Sequence, residues 1–574
     1  ANPGRTAVVA LAGGPGQAAV PLAQAFANDL GPALAFRDLL VYDQRGTGSS
    51  GSLACAALQR TSGTLAGVAR QCSEQIGPAR AFFRTPDSVQ DIEALRVAGG
   101  YDKLVLYGVS YGTKVATAYA SAYPGNVASL VLDSVVTPEG PDAFRRSSLG
   151  AVPRVLSELC AGGACKGITS SSRGDVTRLA KRLRRKPLKG SVYSPSGRRF
   201  TARLGEGGLF AILLAGDLNP TLRAELPGSL RAALSGDTKP LLRLSVRSAG
   251  LENGVGYQSS AADSDALFLA TTCEENPTFP WTRGASQRQR EREAEAAAAK
   301  LSGSSIFPFS RTTALEQGIL PLCLGWKTAS PPPVADGPLP AVPMLVLDGR
   351  SDLRTPFEDA SAVAARVPGA QLVGVPNVGH SVLGSDATAC SRDAIAAFFA
   401  GQPVGQCAPA ANRFSPTPRP PTRASRLKPY AKTKGKVGRT VEALRLTVND
   451  AQAQILGEAL ALGSTPAGAG GLRSGAVRVT SKGLSLRRYE YVPDVVVTGT
   501  LRNRGTSSFR LSGRQASGGV LRVTQGLEVS GKLDGRTVST RFGTTATAAS
   551  AGPYGGLTLG QAVARGKRIR AAVG

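Results

Sequence analysis

The sequence predicts an α/β fold with a mostly helical cap inserted between sheet strands, followed by an all-β module. Three observations carry that reading. Short apolar runs suited to buried strands stand at residues 7–11, 104–107, 343–347 and 371–375. Roughly 200 residues separate Val136 from Pro343, far more than an ordinary connection between strands needs. After residue 436 the pattern changes to short alternating runs between glycine-containing turns. The 574 residues, 42% of them hydrophobic, leave room for two or three domains. The expected division is a core over 1–136 and 343–407, a cap over 137–342, a Pro/Arg/Lys-rich linker over 408–436 and a basic β-rich module over 437–574.

Taken in order, residues 7–11 read as a strand that breaks into Ala12-Gly13-Gly14-Pro15-Gly16, where bare amides can approach a ligand. Residues 104–107 read as a second strand, ending in Gly108-Val109-Ser110-Tyr111-Gly112 and followed by an Ala-rich helix over 114–123. Strand, sharp turn and helix together hold a serine hydroxyl out at the edge of a sheet. The five-residue pattern is weak alone in a chain this rich in Gly and Ser, and its flanks give it weight. The strand at 343–347 runs into Asp348-Gly349-Arg350-Ser351-Asp352, which leaves Asp348 on the strand and puts Asp352 in the turn beyond it. The strand at 371–375 delivers His380, the only histidine of the chain.

These loops make Ser110, Asp352 and His380 a candidate triad. Ser110 would be the nucleophile, His380 the proton carrier and Asp352 the group that holds the imidazole tautomer. Their order along the chain is the one expected of an α/β-hydrolase and differs from the chymotrypsin-like and subtilisin-like orders. Asp348 is the competing acid. The N–H groups of Tyr111 and Gly14 are the expected oxyanion donors. The plain alternatives are a histidine with no catalytic work and an ordinary Gly/Pro turn.

With these residues assembled, the chain resembles secreted actinobacterial tripeptidyl aminopeptidases and the proline iminopeptidase-like α/β-hydrolases. The resemblance rests on Gly13-Gly14-Pro15-Gly16, Tyr42-Asp43-Gln44-Arg45-Gly46-Thr47-Gly48-Ser49, Gly108-Val109-Ser110-Tyr111-Gly112-Thr113, Val131-Leu132-Asp133, Asp352 with Thr355-Pro356, and Gly379-His380. It covers residues 1–407 and implies serine exopeptidase chemistry on peptides with a free amino terminus. Two features depart from it. Many relatives carry a histidine where this chain has Ala12, and they begin with further strands where only residues 1–6 precede the first run here.

In the cap, Thr272-Cys273-Glu274-Glu275-Asn276 followed by Phe279-Pro280-Trp281 resembles a family stretch in which an acid beside the cysteine binds a substrate's ammonium group. Glu275 is the candidate and Glu274 the second, with a solvated surface acid as the alternative. Residues 175–185, 209–215 and 286–301 are the helical candidates of the cap. Eight cysteines allow 105 connectivities. Proximity and the spacings of the resembled family imply Cys55–Cys72, Cys160–Cys165, Cys273–Cys323 and Cys390–Cys407. Four disulfides would suit a secreted or cell-surface protein, and reduced cytosolic thiols are the alternative. A zinc site is not expected, because Cys-x-x-Cys spacing does not repeat and the one histidine is assigned; no cofactor is called for. No apolar span reaches the length of a membrane helix, no signal peptide is visible, and a start at Ala1 fits a processed chain.

The last third differs in kind. A helix is expected over 450–462, and strands over 476–480, 494–501, 508–511, 520–524 and 527–533. From Arg413 onward 27 Lys/Arg stand against 7 Asp/Glu, which is +20 of the chain's +28. Such a module could hold the protein to an anionic cell-wall polymer or membrane surface. Specific nucleic-acid binding is not expected, since the basic residues are not interleaved with aromatics. A basic solubilising domain is the bland alternative. The leading expectation is a secreted serine hydrolase acting as an aminopeptidase or tripeptidyl aminopeptidase on peptides. The alternatives are a carboxylesterase or lipase on the same scaffold and a cell-surface binding protein with a vestigial hydrolase domain.

Overall fold

The computed structural model describes residues 5–59, 63–252, 263–330, 337–409, 412–543 and 553–571. The first four residues, on which the expectation of a processed start rests, lie outside the described residues. The chain forms two compact units, one of Ala1–Val155, Gln258–Ala410 and Arg568–Gly574, the other of Leu156–Tyr257 and Ala411–Lys567. The strands in chain order are β1 (Thr6–Leu11), β2 (Asp38–Val41), β3 (Lys103–Val109), β4 (Val127–Asp133), β5 (Leu188–Tyr193), β6 (Arg199–Leu204), β7 (Met344–Gly349) and β8 (Gln371–Val375). They continue with β9 (Gly468–Gly470), β10 (Ser474–Thr480), β11 (Gly483–Glu490), β12 (Val496–Arg502), β13 (Ser507–Ser512), β14 (Gly519–Val523), β15 (Glu528–Leu533) and β16 (Arg536–Arg541).

The first unit is built on a six-stranded sheet in the order β2-β1-β3-β4-β7-β8, with every pairing parallel. Both faces are covered, which is why its strands read as unbroken apolar runs rather than alternating ones. Val9, Leu106 and Leu132 point into one core with Ile92 and Val115. Val8, Tyr107 and Leu347 point into the other with Phe26 and Ile395. The register pairs Leu11 with Gly108, Val109 with Asp133, Asp133 with Leu347, and Gly349 with Val375. Five strands therefore end at one level, and the loops after β1, β3, β4, β7 and β8 emerge together at the carboxyl edge, where α/β sheets place their ligands.

The insertion expected as one cap divides between the units. Its helices include Ser172–Arg185, Glu206–Ala215 and Gln287–Ala299, close to the three candidates, together with an antiparallel hairpin of β5 and β6. The described residues between 156 and 252 belong to the second unit, and those between 263 and 342 to the first.

The second unit carries an antiparallel sheet in the order β16-β15-β14-β13-β12-β11-β10-β9. Its β9, β11 and β16 were not among the expected strands: β9 is three residues long, the register of β11 shifts across the adjacent Arg487 and Arg488, and β16 holds one apolar residue, Val538. One face is closed by the helix Gly435–Leu462, whose Val441, Leu444, Ala451 and Ile455 meet Val477, Leu486, Phe509 and Leu521. This helix starts 15 residues before the expected 450–462, since the Lys and Arg among its first turns conceal its apolar spacing. The linker itself packs within the second unit: Thr417 N donates to Ala224 O at 2.9 Å, and Arg473 Nη2 to Pro421 O at 2.7 Å.

The four disulfides are Cys55–Cys72, Cys160–Cys165, Cys273–Cys323 and Cys390–Cys407. No helix among the described residues is long and apolar enough to cross a membrane.

Candidate active site

Ser110 sits between β3 and the helix Tyr111–Ala122 at φ 54° and ψ −121°, a conformation costly for a residue with a side chain. Its flanking glycines are required by closeness. A Cβ on Gly108 would meet Gly112 O at 2.4 Å, and one on Gly112 would meet Leu11 O at 2.3 Å. The turn thus presses the serine toward the loop after β1. A Cβ on Gly13 would lie 3.6 Å from Ser110 Oγ, so this loop runs directly across the hydroxyl. Gly13 N donates to the buried Gln17 side chain at 3.3 Å, and Gly14 follows at φ +106°. Tyr111 N is the first amide of its helix, one of those left without an acceptor in the preceding turn.

The loop after β8 supplies His380, fully buried, with Nδ1 2.7 Å from Asp352 Oδ2. Thr355 Oγ1 touches both groups, 2.8 Å from Asp352 Oδ2 and 3.0 Å from His380 Nδ1. The other carboxylate oxygen accepts the backbone N–H groups of Arg354 at 2.7 Å and Thr355 at 3.0 Å. Burial pushes Asp352 up, but the charge and hydrogen bond of His380, with those from Thr355, outweigh it and hold the carboxyl below its usual range. His380 Nε2 is buried and has no hydrogen-bond partner among the described residues. A pair arranged in this way presents an imidazole nitrogen able to take a proton, with its other nitrogen fixed by a carboxylate.

Asp348, the competing acid, does not reach the histidine. It remains on β7 with one oxygen accepting Val135 N at 3.3 Å and the other without a partner among the described residues. Burial, and then the charge of Asp352, drive its pKa well above the ordinary value.

A third buried aspartate does work that the sequence reading left unassigned. Asp133, at the end of the run Val131-Leu132-Asp133, accepts Val382 N at 2.7 Å and Leu383 N at 3.0 Å, while its own carbonyl accepts Ser110 N at 2.9 Å. The adjacent Ser134 Oγ accepts Ser381 N at 2.8 Å. The end of β4 therefore ties the backbone after His380 to the backbone of Ser110. Ser110, Ser134, Asn377 and Ser381 all have positive φ, a concentration of strain at one edge of the sheet. An acid closing an apolar strand run was the available signal.

Glu275 and Glu274 lie elsewhere in the bonding scheme than expected. Glu275 is buried and already carries an ammonium partner, Lys114 Nζ at 2.5 Å, besides Thr85 N at 2.6 Å and Thr85 Oγ1 at 2.7 Å. Thr85 Oγ1 in turn lies 2.9 Å from the Tyr111 hydroxyl. Glu274 accepts from Trp326 Nε1 at 2.7 Å, Ser330 Oγ at 2.7 Å and Ser330 N at 2.9 Å. Both carboxylates are consumed inside the chain, so the expectation that Glu275 or Glu274 offers itself to a substrate's ammonium group is corrected: Glu275 braces the residue after Ser110. The segment before it instead grips the loop after β1, with Ser264 N donating to Gly16 O at 2.7 Å and Ala18 N to Asp263 Oδ1 at 3.0 Å.

Residues 6–162 match the family profile described as alpha/beta hydrolase fold, and residues 308–404 the profile described as TAP-like protein. Tripeptidyl aminopeptidase of Streptomyces lividans is 30% identical over 131 residues, which are 20% of this chain and 24% of that protein. A serine protease of Mycobacterium tuberculosis is 38% identical over 69 residues, 12% of this chain and 13% of its own. Proline iminopeptidase of Neisseria gonorrhoeae is 31% identical over 157 residues, 27% and 41% of the two chains. The chain spans about a quarter of the length of the tripeptidyl aminopeptidase it matches.

Proposed function

The chain belongs to the α/β hydrolases and carries a TAP-like segment, and on that premise we propose that it is an extracellular serine hydrolase acting as an exopeptidase on peptides with a free amino terminus. The observation that carries the reading is the buried His380–Asp352 pair at 2.7 Å, at the same sheet edge as the strained Ser110. Similarity to tripeptidyl aminopeptidase and proline iminopeptidase supports the peptidase direction. Four disulfides support an oxidising compartment.

In this mechanism Ser110 Oγ attacks the scissile carbonyl carbon while His380 Nε2 takes the hydroxyl proton. Asp352 and Thr355 keep the proton of the ring on Nδ1, which leaves Nε2 as the acceptor. The amides of Tyr111 and Gly14 face the oxygen that gains negative charge. Collapse of the tetrahedral adduct breaks the C–N bond, and His380 returns its proton to the departing amine. Water then hydrolyses the acyl ester on Ser110 by the same relay.

A fluorophosphonate should label Ser110 and fail to label Ser110→Ala. Aminoacyl and tripeptidyl anilides with free amino termini should be cleaved, and their N-blocked forms should not. Hydrolysis confined to short-chain nitrophenyl esters would make the protein a carboxylesterase instead, and no labelling at all would leave a vestigial site.

A further inference from the structure

The sheet of the second unit has one face packed on the helix Gly435–Leu462 and the other open from β12 to β16. Strand alternation sends Phe509, Leu511, Leu521 and Leu533 inward, and what lies between them outward. The register aligns the outward residues in rows across the strands. One row runs Ser508, Arg522, Ser530, through the pairs Ser508↔Arg522 and Arg522↔Ser530. The next runs Arg510, Val520, Lys532, through Arg510↔Val520 and Val520↔Lys532. Arg510 and Lys532 thus stand two strands apart, about 10 Å, with Arg522 one residue pair further along the strand between them. All three cations are exposed, and none has an ion pair among the described residues. The one acid on this face, Glu528, lies at the sheet end opposite Arg541.

We propose that this open sheet face binds an anionic polysaccharide. Guanidinium and ammonium groups meet its sulfate, phosphate or carboxylate oxygens, and the serine and threonine hydroxyls between them meet its sugar hydroxyls. The composition of the face selects this class over two others. A membrane surface holds a protein more firmly where apolar side chains also enter it, and this face offers only Val520, 37% exposed, and the half-buried Val496. Single-stranded nucleic acid is gripped by aromatic platforms as well as by cations, and the aromatics of this sheet, Phe509 and Tyr489, face the helix. The inference is independent of the hydrolase reading, since it uses none of the residues around Ser110.

The test uses the full chain with heparin as the probe and neutral dextran as its uncharged counterpart. Heparin should bind with an affinity that falls as salt rises, and dextran should not bind. The variant Arg510→Ser/Arg522→Ser/Lys532→Ser should bind heparin about tenfold or more weakly. A control, Arg423→Ser/Arg426→Ser/Lys428→Ser, removes the same charge from exposed positions before the helix and should change affinity by less than about twofold. Equal losses in the two variants would overturn the proposal in favour of diffuse attraction. Tighter binding of single-stranded DNA or of anionic vesicles, lost in the face variant, would overturn it in favour of that other class. Peptide hydrolysis, measured alongside, should be the same in both variants, so failure of this proposal and failure of the hydrolase reading are separately visible.

Discussion

Thr355 is the residue whose importance grew most between sequence and structure. Its hydroxyl donates to Asp352 and lies against His380 Nδ1, so it fixes the carboxylate in the plane where it can accept the ring N–H. Thr355→Val should lower kcat by about 10–100-fold with little change in KM, the split expected when an outer hydrogen bond orients a catalytic group. A rise in KM at unchanged kcat in steady-state kinetics would contradict that role. Asp359 permits a second prediction at this scale. Burial raises its pKa from 3.8 to about 6, against a hydrogen bond from Ser147 and with Glu358, Asp142 and Asp352 adding like charge. The folded protein therefore holds a proton that the unfolded chain releases, and the stability this gives is present below pH 3.8 and lost as pH rises through about 6. Asp359→Asn should be more stable than the wild type above pH 6.5 by about 2 kcal/mol and converge with it near pH 3.5, in urea melts across pH. A gap of the same size at pH 3.5 would mean that the carboxyl is not responsible. The order Ser110, Asp352, His380 was legible because each residue closes a recognisable strand. The engagement of Glu275 was not, since its partner Lys114 lies 161 residues away.

At the scale of elements, the helix Asp265–Glu275 reaches the helix Tyr111–Ala122 through one buried ion pair. Breaking one side of such a pair strands the other charge, whereas replacing both by apolar groups of similar volume is far milder. Glu275→Gln should lose about 3–5 kcal/mol, and Glu275→Leu combined with Lys114→Met should recover most of it, as judged by urea midpoints. If the double variant were the less stable one, the pair would be a net stabiliser rather than a brace. The longer-than-expected helix Gly435–Leu462 shows the opposite kind of failure. Its apolar stripe of Val441, Leu444, Ala451 and Ile455 is present in the sequence, but the surrounding lysines and arginines conceal it until the sheet that buries it is seen. Strands with clean alternation such as β13 and β14 needed no such help.

At the scale of the molecule, the C-terminal module is not a bead on a free linker. Within the second unit, Arg243 is paired with Asp450 at 2.8 Å and Arg247 with Glu458 at 3.0 Å, all buried or nearly so, across 207 and 211 residues of sequence. Glu225 completes the cluster, 2.7 Å from Arg247. A chain ending at residue 410 would leave both arginines with Glu225 alone, at a cost of about 3–5 kcal/mol for each broken pair. Residues 156–257 should then become open to limited proteolysis, and their continued resistance would show that this half of the unit folds without the module. Fold class, the strand runs that build the hydrolase sheet and the loops that carry Ser110, Asp352 and His380 were determined by the sequence alone. They depend on periodicity, turn residues and chain order, which are local properties. Only the tertiary structure decided that Asp352 rather than Asp348 meets the imidazole, that Glu275 answers Lys114 and that the insertion shares a core with the module. A buried charge is satisfied by whichever opposite charge the fold brings within about 3 Å, and nothing in the neighbouring sequence records which one that is.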